Sequence, residues 1–381
     1  MTADIDPFYA ISISGLAQRL KAEGRQIIHM EFGQPSTGAP KAAIAAAHGV
    51  LDSDGMGYWS SEPLKARICR HYADTYGVTV EPSQITLTCG ASPALVLALS
   101  ATFHPGDVIA MARPGYVAYR NSVKALNLVP LEIACGAETR FQLTADMLAK
   151  IEPAPAGVIL ASPANPTGTI IPGDELEAIA KVCRERGIRI ISDEIYHGLS
   201  YGEATCSMLQ YAPDAIVVNS FSKYFSMAGW RLGWLIVPKA EASRAVAYMG
   251  ALYLTAPSLS QHAALVAMDC RDELEGHLST YRRNRELLLE ALPALGLEKI
   301  APPDGAFYIW ADIGALTDDS LSFCKELLQD TGVATAPGID FDPVEGRRFI
   351  RMSFAVSTPE IEDAIRRLIP WFQARWAKVA A

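Results

Sequence analysis

The chain has 381 residues, half of them hydrophobic, with 33 Lys+Arg against 42 Asp+Glu and a net charge of -9. A chain of this size can bury a large core, and at roughly 150 residues per domain it should form two or three units. The acidic balance argues against nucleic acid, whose phosphates demand a basic face, and the longest apolar run, around Pro93 to Leu99, falls well short of the ~20 residues of a membrane span.

The opening Met1–Thr2–Ala3–Asp4–Ile5–Asp6 is acidic where a signal peptide is basic. Residues 14–23 predict a short helix stopped by Gly24, and 27–30 a brief strand entering the turn-rich Phe32–Gly33–Gln34–Pro35. An alanine-rich helix over 41–51 precedes the loop Gly55–Met56–Gly57–Tyr58–Trp59, and 63–76 returns to helix. Strands and helices then alternate. Strands are expected at 85–88, 108–111, 129–133, 157–161, 188–192, 215–219 and 232–237, with helices at 93–103, up to Leu126, and at 173–186. Pro130 puts 129–133 near a sheet edge. Near-continuous apolar strands separated by helices indicate an α/β protein with a mostly parallel seven-stranded sheet sandwiched by helices. A charged helix over 273–295 bridges to another unit, where strands at 307–310 and 348–354 mix with helices at 321–330 and 359–376. The expected division is therefore a large domain over 46–280 and a smaller α+β domain from 1–45 and 281–381. The seven cysteines (Cys69, Cys89, Cys135, Cys183, Cys206, Cys270, Cys324) are scattered, without a C-x-x-C pair. They suit the core of a protein in a reducing compartment and give no metal site or disulfide framework. A cytoplasmic protein is expected.

In open α/β sheets, ligands bind at the carboxyl ends of the strands. The residues just after each strand are therefore informative. Gly90–Ala91–Ser92 opens a helix and offers backbone N–H groups to a phosphate. Tyr116 comes after the next strand, Asn165 after a third (Ser162–Pro163–Ala164–Asn165–Pro166–Thr167–Gly168), and Asp193–Glu194–Ile195–Tyr196 after a fourth. The last leads into Ser220–Phe221–Ser222–Lys223, with Gly229–Trp230–Arg231–Leu232–Gly233 beyond it. A phosphate cradle, an aromatic face, an amide, a carboxylate, a phenol and a lysine thus converge at one edge. Pyridoxal phosphate needs such a set: a lysine to bond its aldehyde, an acid opposite its ring nitrogen, anchors for its phosphate and an aromatic face to stack on.

With these motifs, and with P-x-G-A-F-Y at 303–308 and R-x-S-F at 351–354, the sequence resembles the class I/II aminotransferases of the fold-type I pyridoxal-phosphate enzymes from about Ser14 to Arg367. The resemblance implies roles. Lys223 would bond the cofactor and then move the substrate α-proton; Asp193 would keep the ring nitrogen protonated. Tyr196 and Asn165 would bond the cofactor's phenolic oxygen, and Tyr116 would stack on its ring. Gly90, Ala91, Ser92, Ser220, Ser222 and Arg231 would hold its phosphate. Arg351, Gly33 and Asn165 would bind the substrate, Arg351 as a fork on the α-carboxylate. Tyr58 resembles a tyrosine that reaches the neighbouring subunit's phosphate, which implies a homodimer with shared sites. A cis peptide before Pro166 suits such a turn.

Gln34 and Pro93 depart from the family's usual glutamate and glutamine, and the segment after Tyr58 lacks the usual glycine, but none of these removes a group the cofactor needs. Ser220–Phe221–Ser222–Lys223 also satisfies the S-x-x-K of serine hydrolases, yet K-T-G is absent and only Ser192–Asp193–Glu194 approaches S-D-N. A non-catalytic regulator would need a basic DNA-binding segment. A C–S β-lyase or a decarboxylase on the same fold is the nearer rival, since it begins from the same covalent adduct. The implied activity is transfer of an amino group from an L-amino acid to a 2-oxo acid. Because no second arginine obviously faces the side-chain pocket, a neutral or apolar side chain is expected.

Overall fold

The computed structural model describes residues 5–53 and 56–379. Met1–Asp4 and Gly55, on which part of the reading of the opening segment and of the Tyr58 loop rests, lie outside the described residues. In chain order the strands are β1 (Ile28–His29), β2 (Ile85–Thr88), β3 (Val108–Arg113), β4 (Val129–Ala134), β5 (Gly157–Ala161) and β6 (Arg189–Asp193). They continue as β7 (Ile216–Ser220), β8 (Gly233–Ile236), β9 (Tyr308–Asp312), β10 (Val333–Ala334), β11 (Ala336–Pro337) and β12 (Phe349–Ser353). The helices are α1 (Tyr9–Ala22), α2 (Lys41–Ser53), α3 (Glu62–Tyr76), α4 (Ala91–Thr102), α5 (Val117–Ala125) and α6 (Ala145–Ala149). After these come α7 (Gly173–Arg186), α8 (Ala242–Leu252), α9 (Ser258–Ala267), α10 (Arg271–Leu295), α11 (Ser320–Thr331) and α12 (Thr358–Val379).

Seven strands form one sheet in the order β2-β8-β7-β6-β5-β3-β4, parallel except for β8, which runs against both its neighbours. Every residue of β7 and of β8 is buried, and the Ile216–Val217–Val218 run of β7 suits that interior position. Parallel strands need helical crossovers, and these cover both faces. Helix α7 shows how the sequence builds one. Leu176, Ile179, Ala180 and Cys183 bury a single stripe, Asp174 and Glu175 sit in the first turn, and Gly187 ends the helix in the left-handed conformation. Strand β4 is one of the two edges, where Pro130 is accommodated.

A three-stranded antiparallel sheet, β11-β12-β9, and a parallel pair, β1 with β10, form a second layer around its own core. Ile13, Ala17 and Met30 pack there with Tyr308, Ile350 and Leu368, so both ends of the chain contribute. Helix α10 spans the two cores: Leu274 packs in the first, while Leu278, Tyr281 and Leu288 pack in the second. Ala39 and Ala43 pack in the first core.

Three differences from the sequence reading have physical causes. Helix α4 starts two residues before Pro93, because the first-turn N–H groups have no intrahelical partner and proline is tolerated there. Helix α1 starts at Tyr9 without a capping side chain at Phe8; its cap comes instead from Asp340, far along the chain. Helices α8 and α9 carry no local start signal, because neither Glu241 nor Pro257 caps its helix through a side chain.

Candidate active site

Strands β2, β3, β5, β6 and β7 point their carboxyl ends to one edge, and a cavity of about 390 Å³ opens there beneath the smaller sheet. Ala91, Ser92, Tyr116, Asn165, Asp193, Tyr196, Ser222, Lys223, Arg231, Gly33 and Arg351 all line it. Gly90, Ser220 and Tyr58 of the expected set do not line it.

Lys223 follows the buried end of β7, and its remaining exposure is to this cavity. Its ammonium donates to the Gly33 carbonyl and lies 5.6 Å from the centre of the Tyr196 ring. Burial, then the nearby Arg351 and Arg231 cations, push the amine down to about 8, while Asp193 opposes them. The lysine can therefore shed its proton near neutral pH, as an amine that must act as nucleophile and base requires. Gly33, which the resemblance gives to the substrate, turns its carbonyl to this lysine.

Asp193 closes β6 and is buried. Tyr119 Oη donates to Oδ2 at 2.6 Å and Ile195 N to Oδ1 at 3.1 Å. Burial pushes its carboxyl up, against these hydrogen bonds and the Lys223 charge. A cationic partner in the cavity would restore the charged form, which fits a protonated ring nitrogen. Sequence reasoning missed Tyr119. A signal was there: it lies three residues after Tyr116, on the same face at the start of α5.

Gly90 is the N-cap of α4 at φ +103, with no side-chain cap, so the first N–H groups of the helix are left for a ligand. A Cβ here would run into the Arg231 guanidinium, which donates to Ala228 O at 2.9 Å and to Cys89 O at 3.3 Å. Ser222 joins the same corner. Ser220 does not line the cavity; its hydroxyl donates to Ser222 Oγ at 2.8 Å, which orients the hydroxyl that does.

Arg351 is carried by β12 from the smaller sheet and is only 2% exposed. Nη1 donates to Asn165 Oδ1 at 2.7 Å and Nη2 to Glu31 O at 2.6 Å, with the guanidinium carbon 4.4 Å from the Tyr308 ring centre and 4.6 Å from that of Phe341. Among the described residues its Nε is buried without a partner. A guanidinium only donates, so Asn165 must turn Oδ1 to it and keep both amide hydrogens for the cavity. Tyr308, which closes the P-x-G-A-F-Y motif without an expected role, also shares a 2.6 Å hydrogen bond with Tyr196 Oη. The loops meet because Gly168 and Gly305 are glycines: a Cβ on Gly168, at φ +73, would sit 2.9 Å from Gly305 O. The Asn165–Pro166 peptide is cis. Tyr58 stands apart, 84% exposed and outside the cavity of its own chain.

A mostly parallel sheet that gathers an amine of lowered basicity, a buried acid, an uncapped helix start beside one arginine, and a second, buried arginine around one cavity defines a pyridoxal-phosphate-dependent enzyme acting on amino acids. The chain belongs to the aminotransferase class I and II family, whose description it matches over residues 25–368. It is an aminotransferase. It is 45% identical to the valine–pyruvate aminotransferase of Mycobacterium tuberculosis over 98% of both chains. The fold superposes on the crystal structure of an aminotransferase from the same organism with a TM-score of 0.95, at 45% identity over 98% of both chains. It superposes on the Thermus thermophilus aspartate aminotransferase with maleate at 0.90, with 29% identity over 98% of this chain and 97% of that one. When bound, pyridoxal phosphate supplies an aldehyde that takes up the amine and a ring that accepts the electron pair left at Cα.

Proposed function

We propose that the protein moves the amino group of an L-amino acid with a neutral or apolar side chain to a 2-oxo acid such as pyruvate or 2-oxoglutarate. Lys223 is the covalent anchor and the proton carrier, and Asp193 holds a proton on the ring nitrogen. Asn165 and Tyr196 bond the phenolic oxygen, Tyr116 stacks on the ring, and the start of α4 with Ser222 and Arg231 holds the phosphate. Arg351 orients the α-carboxylate through the fork edge that Asn165 and Glu31 leave free.

The observation that carries the side-chain reading is the charge inventory of the cavity. Among the described residues its cations are Lys223, Arg231 and Arg351, and each already has a task. None is left for a second substrate carboxylate. The 45% identical valine–pyruvate aminotransferase supports the same choice. The test is a panel of amino-acid donors against pyruvate and 2-oxoglutarate; preference for aspartate would reject the reading. Ammonia release without a 2-oxo acid would mark a lyase instead.

The protein is also proposed to act in the cytoplasm as a homodimer with shared sites, in which Tyr58 reaches the partner's phosphate. Its seven thiols are all free, and among the described residues no helix is long and apolar enough to cross a membrane. Besides Tyr58, the chain exposes Val246, Tyr248 and Leu252 on α8 and Leu254 just beyond it, an apolar set suited to a subunit interface. Light scattering that gave a monomer would contradict this. The division into a large cofactor unit and a smaller one from both chain ends belongs to the same proposal, with its first boundary ahead of Ala39.

A further inference from the structure

The cap of α1 comes from the far end of the chain. Asp340 Oδ1 accepts from Tyr9 N at 2.6 Å and Oδ2 from Ala10 N at 2.7 Å. Phe8, the N-cap, supplies no side-chain acceptor, and the first turn holds no acid, so a carboxylate more than three hundred residues away satisfies the helix start. Asp340 is 1% exposed. It sits in the turn after β11, directly before Phe341, whose ring packs on Arg351 and whose carbonyl accepts from Gly115 N beside Tyr116.

The residue so held lines the cavity. Phe8 faces it together with Phe32, and its ring meets Tyr116 edge-on with centroids 6.4 Å apart. On its other side Asp6 is tied to α5: it accepts from Arg120 Nε at 2.7 Å and Lys124 Nζ at 2.9 Å. Phe8 is thus stretched between two carboxylate anchors, one at Asp6 and one at Asp340.

We propose that Asp340 is a positioning residue for substrate binding, whose carboxylate clamps the start of α1 so that Phe8 forms a fixed apolar wall for the substrate side chain. This rests on reading the cavity as the amino-acid site.

Burial pushes the Asp340 carboxyl up to about 6, despite its two N–H donors and the nearby Arg351 and Arg120. The titratable groups facing it are Arg351 on β12, Arg120 on α5, itself paired with Asp6 and Glu132, and the Cys324 thiol on α11. Because the folded value lies above the ordinary carboxylate value, the native chain takes up this proton more readily than the unfolded one. This linkage therefore lowers stability as pH rises from the ordinary carboxylate range through about 6. Once protonated, the carboxyl carries a hydrogen on one of the two oxygens that accept from Tyr9 N and Ala10 N, which weakens that acceptor.

Steady-state kinetics of the holoenzyme test this with a neutral amino-acid donor. Asp340→Asn should raise KM about tenfold, the loss of roughly one charge-assisted hydrogen bond, with kcat and the cofactor absorbance nearly unchanged. Phe8→Ala should do the same, and the double variant should be no worse than the poorer single one, since both act through one wall. In the wild type KM should rise as pH falls through about 6, and Asp340→Asn should lack that step. Amide hydrogen exchange offers a readout that needs no catalysis: Tyr9 and Ala10 should exchange faster in Asp340→Asn. An unchanged KM in either single variant, or effects that multiply in the double variant, would overturn the proposal while leaving the amino-acid site intact. If Asp340→Asn did not fold, Phe8→Ala and the wild-type pH profile would still decide. A wild type inactive on all neutral amino acids would defeat the functional reading instead, and faster exchange would then still report on the clamp itself.

Discussion

Replacing Arg351 by lysine keeps the charge and removes the fork. In the wild type, two guanidinium nitrogens donate at 2.7 and 2.6 Å to Asn165 Oδ1 and Glu31 O, and the planar group is held between the Tyr308 and Phe341 rings at 4.4 and 4.6 Å. An ammonium on a flexible stem reproduces neither the planar stacking nor the simultaneous contact with those two oxygens and a substrate carboxylate. Hydrogen bonds to charged groups contribute about 1.5–3 kcal/mol each. With one such bond to the carboxylate lost and its neighbours loosened, kcat/KM for an amino acid should fall by about 3 kcal/mol, roughly a hundredfold. The loss should lie mainly in KM, because the carboxylate is held alike in ground and transition states. The assay compares each amino acid with the amine that lacks its α-carboxylate. Arg351→Lys should narrow the gap between the two, leaving the slow reaction of the amine almost untouched. Equal losses for both, or wild-type discrimination, would refute the assignment.

Tyr119→Phe removes the 2.6 Å donor from the buried Asp193. The carboxyl should rise further, and cofactor should dialyse out at least tenfold more readily, by the same hydrogen-bond magnitude; unchanged retention would count against Tyr119 as the support of Asp193. The apoenzyme should take up the cofactor aldehyde with a rate that rises with pH through about 8 as Lys223 loses its proton, where a midpoint above 10 would mean an ordinary solvated lysine. Lys223→Ala should abolish turnover by orders of magnitude and prevent borohydride from fixing the cofactor to the chain, while some cofactor still binds non-covalently. Gly168→Ala puts a Cβ at a left-handed position 2.9 Å from Gly305 O and should cost about 2 kcal/mol or more, seen as a lowered thermal midpoint.

Much of this molecule is local in origin. Most strands of the main sheet are short runs rich in apolar residues and bounded by turns, and the loops that line the cavity sit at their carboxyl ends, so the residues at and after each strand end already gathered Asn165, Asp193 and Lys223. A parallel α/β sheet permits this because its topology turns every crossover loop at one edge into a neighbour of the next. Helix starts and ends were legible where caps are local, as at Gly187 after α7, and illegible where they are not: α1 takes its cap from Asp340.

The pairings between distant residues belong to the tertiary structure alone. Sequence assigned Arg351 to a carboxylate, but only packing brings β12 onto the segment after β1 and sets that guanidinium against Asn165 and Glu31. The sequence likewise sets Tyr119 three residues after Tyr116 and Tyr308 at the end of P-x-G-A-F-Y without showing what either bonds, since a tyrosine's hydrogen-bond partner depends on which strand end or loop folds within 3 Å of its hydroxyl. Which groups can carry chemistry is set by residue type and order along the chain. How strongly each holds its proton, and which side chain walls the substrate, is set by burial and by charges brought close in folding.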